Sequence, residues 1–173
     1  MPYIGSAPSP IFDTDIALTS LTTTGNVSVG GTLGVTGATT LSNTLGVTGA
    51  LTATGGGTVK ATYQERYAAV TSSSGAATLD LSTANYFSHT LSENTTYTFS
   101  NPPSSGTAFT FTVELKQDAS GSTYTTTWPT SVDWAGGTEP TDSTGANDVD
   151  ILVFTTRDGG TTYFGFQSGA DLS

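Results

Sequence analysis

Few residues of this 173-residue chain could carry acid–base or nucleophilic chemistry. His89 is the only histidine, and the sequence contains no cysteine. A Ser-His-Asp hydrolase would need His89 as its general base, and the sequence has no G-x-S-x-G turn to hold a nucleophile. His89 instead alternates with Phe87 and Leu91, which indicates that the three side chains share one face of a strand. The pattern therefore predicts a packed or interface histidine rather than a catalytic one.

Three acidic residues, Asp142, Asp148 and Asp150, lie in or beside the loop-like segment TEPTDSTGANDVD. Loop carboxylates suit Ca²⁺, but the D-x-D-x-D-G spacing of a calcium loop is missing. Paired carboxylates can also hydrolyse glycosidic bonds, and the separation that this needs is spatial, so the sequence leaves that alternative open. Solvated loop acids are the simpler interpretation. We predict no metal ion, no cofactor and no enzymatic activity.

Two tryptophans, Trp128 and Trp134, lie in the segment TTTWPTSVDWAGGTEP. Aromatic side chains near turn prolines can stack on sugars or anchor a protein interface. They can equally close the end of a β-sheet core, which is the interpretation that we favour. Both residues remain candidates for a receptor-binding surface.

The charge of the chain excludes several classes of partner. Four basic residues stand against 14 acidic ones, for a net charge of −10. Nucleic-acid binding and attraction to anionic membranes both depend on clustered Lys and Arg. No apolar run approaches the length of a membrane span, and the N-terminal MPYIGSAPSPIF has neither the basic nor the apolar region of a secretory signal. We expect no nucleic acid, no membrane insertion, and synthesis in a cytoplasm.

A six-residue repeat occupies residues 19–57, ahead of the tryptophans. One position of the repeat is occupied by Gly25, Gly31, Gly37, Asn43, Gly49 and Gly55. Two further positions, two residues apart, are mostly apolar and comprise Val27, Val29, Leu33, Val35, Leu41, Leu45, Val47 and Leu51. Side chains two residues apart share a face of an extended chain, and Gly or Asn tolerates the backbone conformations of a bend. The pattern is typical of hexads in β-helical stacks.

The repeat is too short to form such a stack alone. A single-chain β-helix uses roughly three hexads for one coil and needs at least three stacked units. Segments below about 40 residues usually need disulfides, metals or oligomerisation to fold. We therefore predict that residues 19–57 form a β-helical or β-prism stalk shared by three chains, with the eight apolar residues in the seam between them.

The segments on either side of the stalk differ in character. Residues 1–18 contain three prolines and the apolar residues Tyr3, Ile4, Ile11 and Phe12, which have no local core to join. We interpret these residues as an arm that docks on another protein. Residues 58–66 form a short neck that holds Lys60 and Arg66.

Residues 67–173 read as an antiparallel β-sandwich, similar to a jelly roll. Short alternating segments recur between turn signals, as in AATLDL, YFSHTL, TTYTF and FTFTVELK. Within FTFTVELK, Phe109, Phe111, Val113 and Leu115 fall on one face. VDILVFTT, at 149–156, is apolar on both faces and predicts a central strand, and Asp158-Gly159-Gly160 predicts the hairpin turn that follows it.

The chain resembles bacteriophage tail-fibre-like virion proteins, especially those of marine cyanophages. The strings TWPTSVDWAGGTEP and DILVFTTRDGGTTYFGF resemble their C-terminal domain, TLGVTGATTLSNTLGVTGALTATG their stalk repeats, and MPYIGSAP their N-termini. The resemblance implies a non-enzymatic homotrimeric fibre that is assembled in the host cytoplasm and located on the virion. Its N-terminal arm would bind other virion proteins and its C-terminal knob would point outward. Six hexads are few for a long tail fibre, so a short head fibre or a capsid decoration protein fits as well. The alternative function is a module that binds a host glycan or surface protein at a fibre tip.

Overall fold

A computed structural model describes residues 23–49, 51–55, 57 and 64–172. The chain divides into two units, Met1–Gly56 and Gly57–Ser173. The candidate docking residues Tyr3, Ile4, Ile11 and Phe12 lie outside the described residues.

The described hexads form a chain that bends once in every repeat. Bends occur at residues 24–25, 30–31, 37, 42–43 and 48–49, and a turn follows at 54–55. Each contains the Gly or Asn of its hexad, in agreement with the prediction that these residues mark the bends. Residues 23–49 and 51–55 contain no strand, and every one of them is exposed. Within a single chain, these hexads therefore have neither a β-ladder nor a core.

The regular secondary structure of the second unit consists almost entirely of β-strands. In chain order they are β1 (Tyr67–Val70), β2 (Ala76–Asp80), β3 (Tyr86–Thr90), β4 (Thr95–Ser100), β5 (Phe109–Lys116), β6 (Thr126–Thr127), β7 (Val132–Trp134), β8 (Val149–Thr156) and β9 (Tyr163–Leu172). A 3₁₀ turn, Ala135–Gly137, follows β7. The fold of this unit is all-β, as predicted.

The strands form one mixed sheet and one parallel sheet rather than the antiparallel sheets that the sequence suggested. Sheet A has six strands in the order β1-β3-β5-β8-β9-β7, and sheet B has three in the order β2-β4-β6. Five of the seven pairings are parallel, and only β5–β8 and β8–β9 are antiparallel. From β1 to β6 the chain alternates between the sheets, so each strand pairs with the next but one. The prediction of an antiparallel sandwich is therefore wrong for the first six strands, where a strand of the opposite sheet provides each parallel crossover.

The core lies between the two sheets and follows the predicted alternation. The inward residues Leu79, Phe87, Val113 and Phe154 are at most 1% exposed. Phe99 of β4 contacts rings of the opposite sheet, with centroid distances of 5.1 Å to Phe111 and 5.3 Å to Phe154. Edge-to-face packing of this kind stabilises an aromatic core beyond the area that it buries.

The C-terminal strands β8 and β9 form a hairpin within sheet A. β8 lies between β5 and β9, which confirms the predicted central strand. The connection contains Gly159 and Gly160 with φ of 74° and 79°, the conformation that favours glycine in tight turns. The side chain of Asp158 accepts a hydrogen bond from the backbone N–H of Thr162 at 3.0 Å. Asp158-Gly159-Gly160 is thus the hairpin turn, as predicted.

Candidate binding surfaces

His89 is a core residue. It is 2% exposed and shares a hydrogen bond between its Nδ1 and the hydroxyl of Tyr97. Burial lowers the pKa of the imidazole, and the charge of Glu93 only partly opposes this effect. Because His89 is buried in the core and has no access to solvent, the packed histidine predicted from the sequence is confirmed.

Trp128 also belongs to the core. It is 5% exposed, and its indole stacks on Tyr97 with ring centroids 4.3 Å apart and planes 8° from parallel. The core position that the sequence favoured is confirmed, and Trp128 is wrong as a receptor-surface candidate. The cause is its place directly after β6, where its ring enters the space between the sheets.

Trp134 lies at the border between core and surface. Its ring is half-buried and contacts Trp128 and Phe154, with centroids 6.2 Å and 5.5 Å away. Trp134 pairs with Gly165 of β9 across the sheet. A Cβ atom on Gly165 would lie 2.7 Å from two ring carbons of Trp134, so the glycine is what allows the indole to lie against the strand. Trp134 therefore remains a candidate for surface recognition.

A shallow depression of about 190 Å³ opens beside the Trp134 ring. Its wall contains the Trp134 indole, Pro140 and the backbone of Gly165, and its polar groups come from Thr138 and Gln167. Neither polar side chain donates to or accepts from another described residue. An aromatic wall with free amide and hydroxyl groups suits a neutral polar ligand such as a sugar ring.

Sequence reasoning found only one residue of this depression. Gln167 and Thr138 lie in segments without a motif, and the role of Gly165 depends on its partner strand. The signal that existed was the D-W-A-G-G string, because a tryptophan followed by turn residues marks a ring at the end of a strand.

The loop acids serve as hydrogen-bond acceptors for the backbone. Asp150 is 2% exposed and accepts hydrogen bonds from the N–H and the hydroxyl of Ser143, at 2.7 Å and 2.6 Å, and from the N–H of Asp171 at 3.2 Å. Asp148 accepts from the N–H of Gly145 at 2.6 Å. The interpretation of these residues as solvated loop acids is wrong for Asp150, which holds the loop after β7 and the end of β9 together.

Asp142 holds the same loop to sheet B. Its carboxylate accepts hydrogen bonds from the N–H and hydroxyl of Thr126 on β6, at 2.8 Å and 3.0 Å. Burial raises the pKa of Asp142, although these hydrogen bonds oppose the shift and the charge of Asp150 adds to it. Glu139 is likewise shifted upward, by partial burial and by the charge of Asp142. The carboxyl groups of Glu139, Asp142 and Asp150 thus lie near enough to influence one another's ionisation.

A second depression, of about 200 Å³, lies at the first strand of sheet A. Arg66, Leu81, Asn85 and Phe109 contribute to its wall. The Asn85 side chain accepts a hydrogen bond from the backbone N–H of Arg66 at 3.1 Å, so its amide is used to fix the start of β1. Among the basic residues that the structure describes, only Arg66 lines this depression.

The described hexads carry a long row of exposed apolar side chains. The eight predicted seam residues are between 47% and 77% exposed, with Val47 the least and Leu51 the most exposed. Residues 16–59 contain no Asp, Glu, Lys or Arg. An uncharged segment with regularly spaced, exposed Val and Leu is the type of surface that soluble proteins cover with a partner.

The described residues contain neither a metal-binding cluster nor a membrane-spanning helix. Across residues 23–49, 51–55, 57 and 64–172, no group of three or more His, Cys, Asp or Glu side chains is arranged to hold a metal ion. In the same part of the chain, no helix has the length and apolar character needed to cross a bilayer. Comparison of the chain with protein-family models, curated proteins and solved structures finds no match.

Proposed function

We propose that the chain is a non-enzymatic structural protein of a phage virion, a homotrimeric short fibre or decoration protein. In this proposal residues 1–18 anchor it to other virion proteins, residues 19–57 trimerise, and residues 67–173, after the neck, are the displayed knob. The observation that carries the proposal is the hexad segment, in which bends recur every six residues and all eight apolar side chains are exposed in one chain.

Copies of the same chain are the partners that fit this segment best. Only an identical repeat presents bends and apolar residues at the same six-residue spacing along its whole length. The segment carries no charge, so copies of a chain with a net charge of −10 can approach one another there without like-charge repulsion. Three copies would place their Val and Leu side chains in one shared β-helical or β-prism core, which is the arrangement that hexad units need for stability.

The oligomeric state in solution tests this proposal directly. Light scattering on the purified chain should give the mass of a trimer, and a monomer at micromolar concentration would refute it. The variant Leu33→Asp/Leu45→Asp should be monomeric, because each aspartate would bury an unpaired charge in the seam.

A matched control variant distinguishes the effect of a charge placed in the seam from the effect of added charge alone. Thr32→Asp/Thr44→Asp places the same two charges in the same hexads, one residue before each leucine and on the opposite face of the extended chain. This control should remain a trimer. Assembly of the leucine variant at the wild-type yield would contradict the buried seam.

The alternative function, recognition of a host glycan, is favoured by one observation, the depression beside Trp134. Its aromatic wall and the free side chains of Gln167 and Thr138 could bind one sugar ring. A glycan array probed with the full chain tests this function, and Gln167→Ala should abolish any signal, whereas Thr96→Ala on the exposed face of β4 should not. Consistently blank arrays and cell-binding assays would leave the structural role alone.

A further inference from the structure

The outer face of the β8–β9 hairpin is an apolar patch on the knob. Side chains that point away from the core alternate with buried ones along β8 and at the start of β9, and residues 166–172 contain no buried residue. The patch consists of Val149, Ile151, Val153, Phe164, Phe166 and Leu172. Phe164, Phe166 and Leu172 are 38%, 47% and 48% exposed.

Cross-strand pairing makes this patch continuous. Val149 lies opposite Leu172, and Val153 lies opposite Phe166. Ile151 lies opposite Gly169, over whose position the Leu172 side chain extends, because a Cβ on that glycine would meet the leucine Cδ1 at 3.0 Å. Neighbouring apolar side chains, half-buried on β8 and exposed on β9, thereby form one ladder on two adjacent strands, where single scattered residues would need no explanation.

The patch is uncharged at its centre and charged at its border. Its six residues include no ionisable group, although the chain has a net charge of −10. On the flanking strands, Glu114 and Lys116 of β5 pair with Ile151 and Val149, and Asp133 of β7 pairs with Phe164. An apolar centre within a charged border is the usual anatomy of a protein–protein interface.

We propose that this patch is where the knobs of neighbouring copies pack on one another, so that the three patches meet within the trimer. The occupant is a second copy of this chain because an acidic protein can contact itself with least repulsion on its uncharged surfaces, and this patch is one of them. The proposal rests on the trimer proposed above.

The size of the patch explains why the knobs need the hexads. A stable interface between free proteins has about 20 to 30 residues on each side, and this patch has only six. Covalent connection to a trimerised segment would raise the effective concentration of the knobs to the millimolar range, where a weak contact forms. The knob contact is therefore expected in the full chain and not between separate knobs at micromolar concentration.

Hydroxyl-radical footprinting of the full chain tests the contact. The oxidation rates of Phe164 and Phe166 are compared between the wild type and the Leu33→Asp/Leu45→Asp variant, with the 63% exposed Tyr67 as reference. Burial of the two phenylalanines to the level of a protein interior should lower their oxidation about fourfold or more in the wild type. Tyr67 should be oxidised equally in both, and circular dichroism checks that the variant knob is folded.

The outcomes distinguish this inference from the proposed function. A trimer in which Phe164 and Phe166 are protected supports both. A trimer in which they are oxidised as fast as in the monomeric variant overturns the knob contact, leaves the trimer intact and assigns the patch to another protein. A wild-type monomer overturns both.

A second variant keeps the test independent of the hexads. Phe164→Ser/Phe166→Ser should still form trimers at high concentration, but the concentration at which half the chains dissociate should rise about tenfold or more, since truncating interface aromatics is costly. Tyr67→Ser, which removes an exposed aromatic from β1 of the same sheet, should leave that concentration unchanged. An unchanged dissociation midpoint for the phenylalanine variant would contradict the proposal.

Discussion

Replacing Gly165 with alanine would test whether the backbone of β9 positions the Trp134 ring. Gly165 is buried, and it does not have the positive φ that would itself disfavour alanine. Any cost of the substitution must therefore come from the added methyl group. That methyl group would lie 2.7 Å from Cε3 and Cζ3 of Trp134 and 2.8 Å from Cγ1 of Val132.

These distances set the expected magnitude. Carbon atoms in contact prefer about 3.5 to 4.0 Å, so the indole must move outward by about 1 Å. Overpacking of this kind costs about 1 to 3 kcal/mol. Replacing glycine in a strand also stabilises the fold by about 0.4 to 1 kcal/mol, because it lowers the conformational entropy of the unfolded chain. The free energy of unfolding should fall by about 1 to 2 kcal/mol, which corresponds to about 4 to 8 °C in Tm for a unit of this size.

Thermal unfolding and tryptophan fluorescence of the full chain measure the two consequences. The Tm should fall, and the emission should shift to the red as Trp134 moves toward solvent while Trp128 stays buried. In a Trp134→Ala background the methyl group has room on the side of the indole, so Gly165→Ala should cost less there by about 1 kcal/mol.

Two results would refute this reasoning. A Gly165→Ala protein with the Tm and emission of the wild type would show that the strand does not constrain the ring. A cost that is the same with and without the Trp134 side chain would show that the methyl group disturbs something other than the indole, and the depression would then have another origin.

Three further predictions concern buried polar groups. Because burial lowers the pKa of His89 below 6.5, the unfolded chain binds a proton that the folded one does not, so stability should fall as the pH falls through about 6.5. His89→Gln should remove that slope from Tm measurements between about pH 7.5 and 5.5. Burial raises the pKa of Asp142 above 3.8, so the folded chain binds this proton more tightly than the unfolded chain does. The resulting stabilisation is present at acidic pH and is lost as the pH rises through the raised pKa. Asp142→Asn should therefore make the stability fall more steeply as the pH is lowered. Asp150→Ala would leave the N–H and hydroxyl donors of Ser143 without an acceptor, so the free energy of unfolding in urea should fall by about 3 kcal/mol. Replacing the exposed Asp133 with alanine should change that free energy by no more than about 0.5 kcal/mol. Equal midpoints for these two variants would contradict the role given to Asp150.

The inward residues of the knob could be predicted because alternation is a local property. The pattern in FTFTVELK shows which side chains face the core, and Phe111, Val113 and Leu115 are indeed buried. The Asp-Gly-Gly turn was equally readable, since positive φ at two successive residues favours glycine. In the hexads, the Gly and Asn positions predicted the bends for the same reason.

The pairing of the strands could not be predicted, because alternation shows which face is buried and not which strand is adjacent. β1 and β3 are parallel neighbours although β2 lies between them in the chain. Nothing in YAAV or YFSHT specifies that arrangement. Antiparallel neighbours are the expectation for short strands with short connections, and only the last part of the chain follows it.

The candidate surface was only partly readable for a related reason. Trp128 and Trp134 are six residues apart and have similar sequence surroundings, yet one stacks on Tyr97 within the core and the other lies at its border. Their difference arises from the strands that meet them, β4 for Trp128 and β9 for Trp134. Likewise, Asp150 resembles a loop acid until its donors, Ser143 and Asp171, are seen to converge on it.

The antiparallel pairing of β5 with β8 has a consequence for how the knob folds. β5 ends the series of strands that alternate between the sheets, and β8 begins the C-terminal hairpin, so eight paired residues join the early and late parts of the domain. Until β8 is synthesised, β5 is an open edge and sheet A lacks half of its strands. The knob should therefore fold late, after β8 and β9 have been synthesised, and unfold as one cooperative unit.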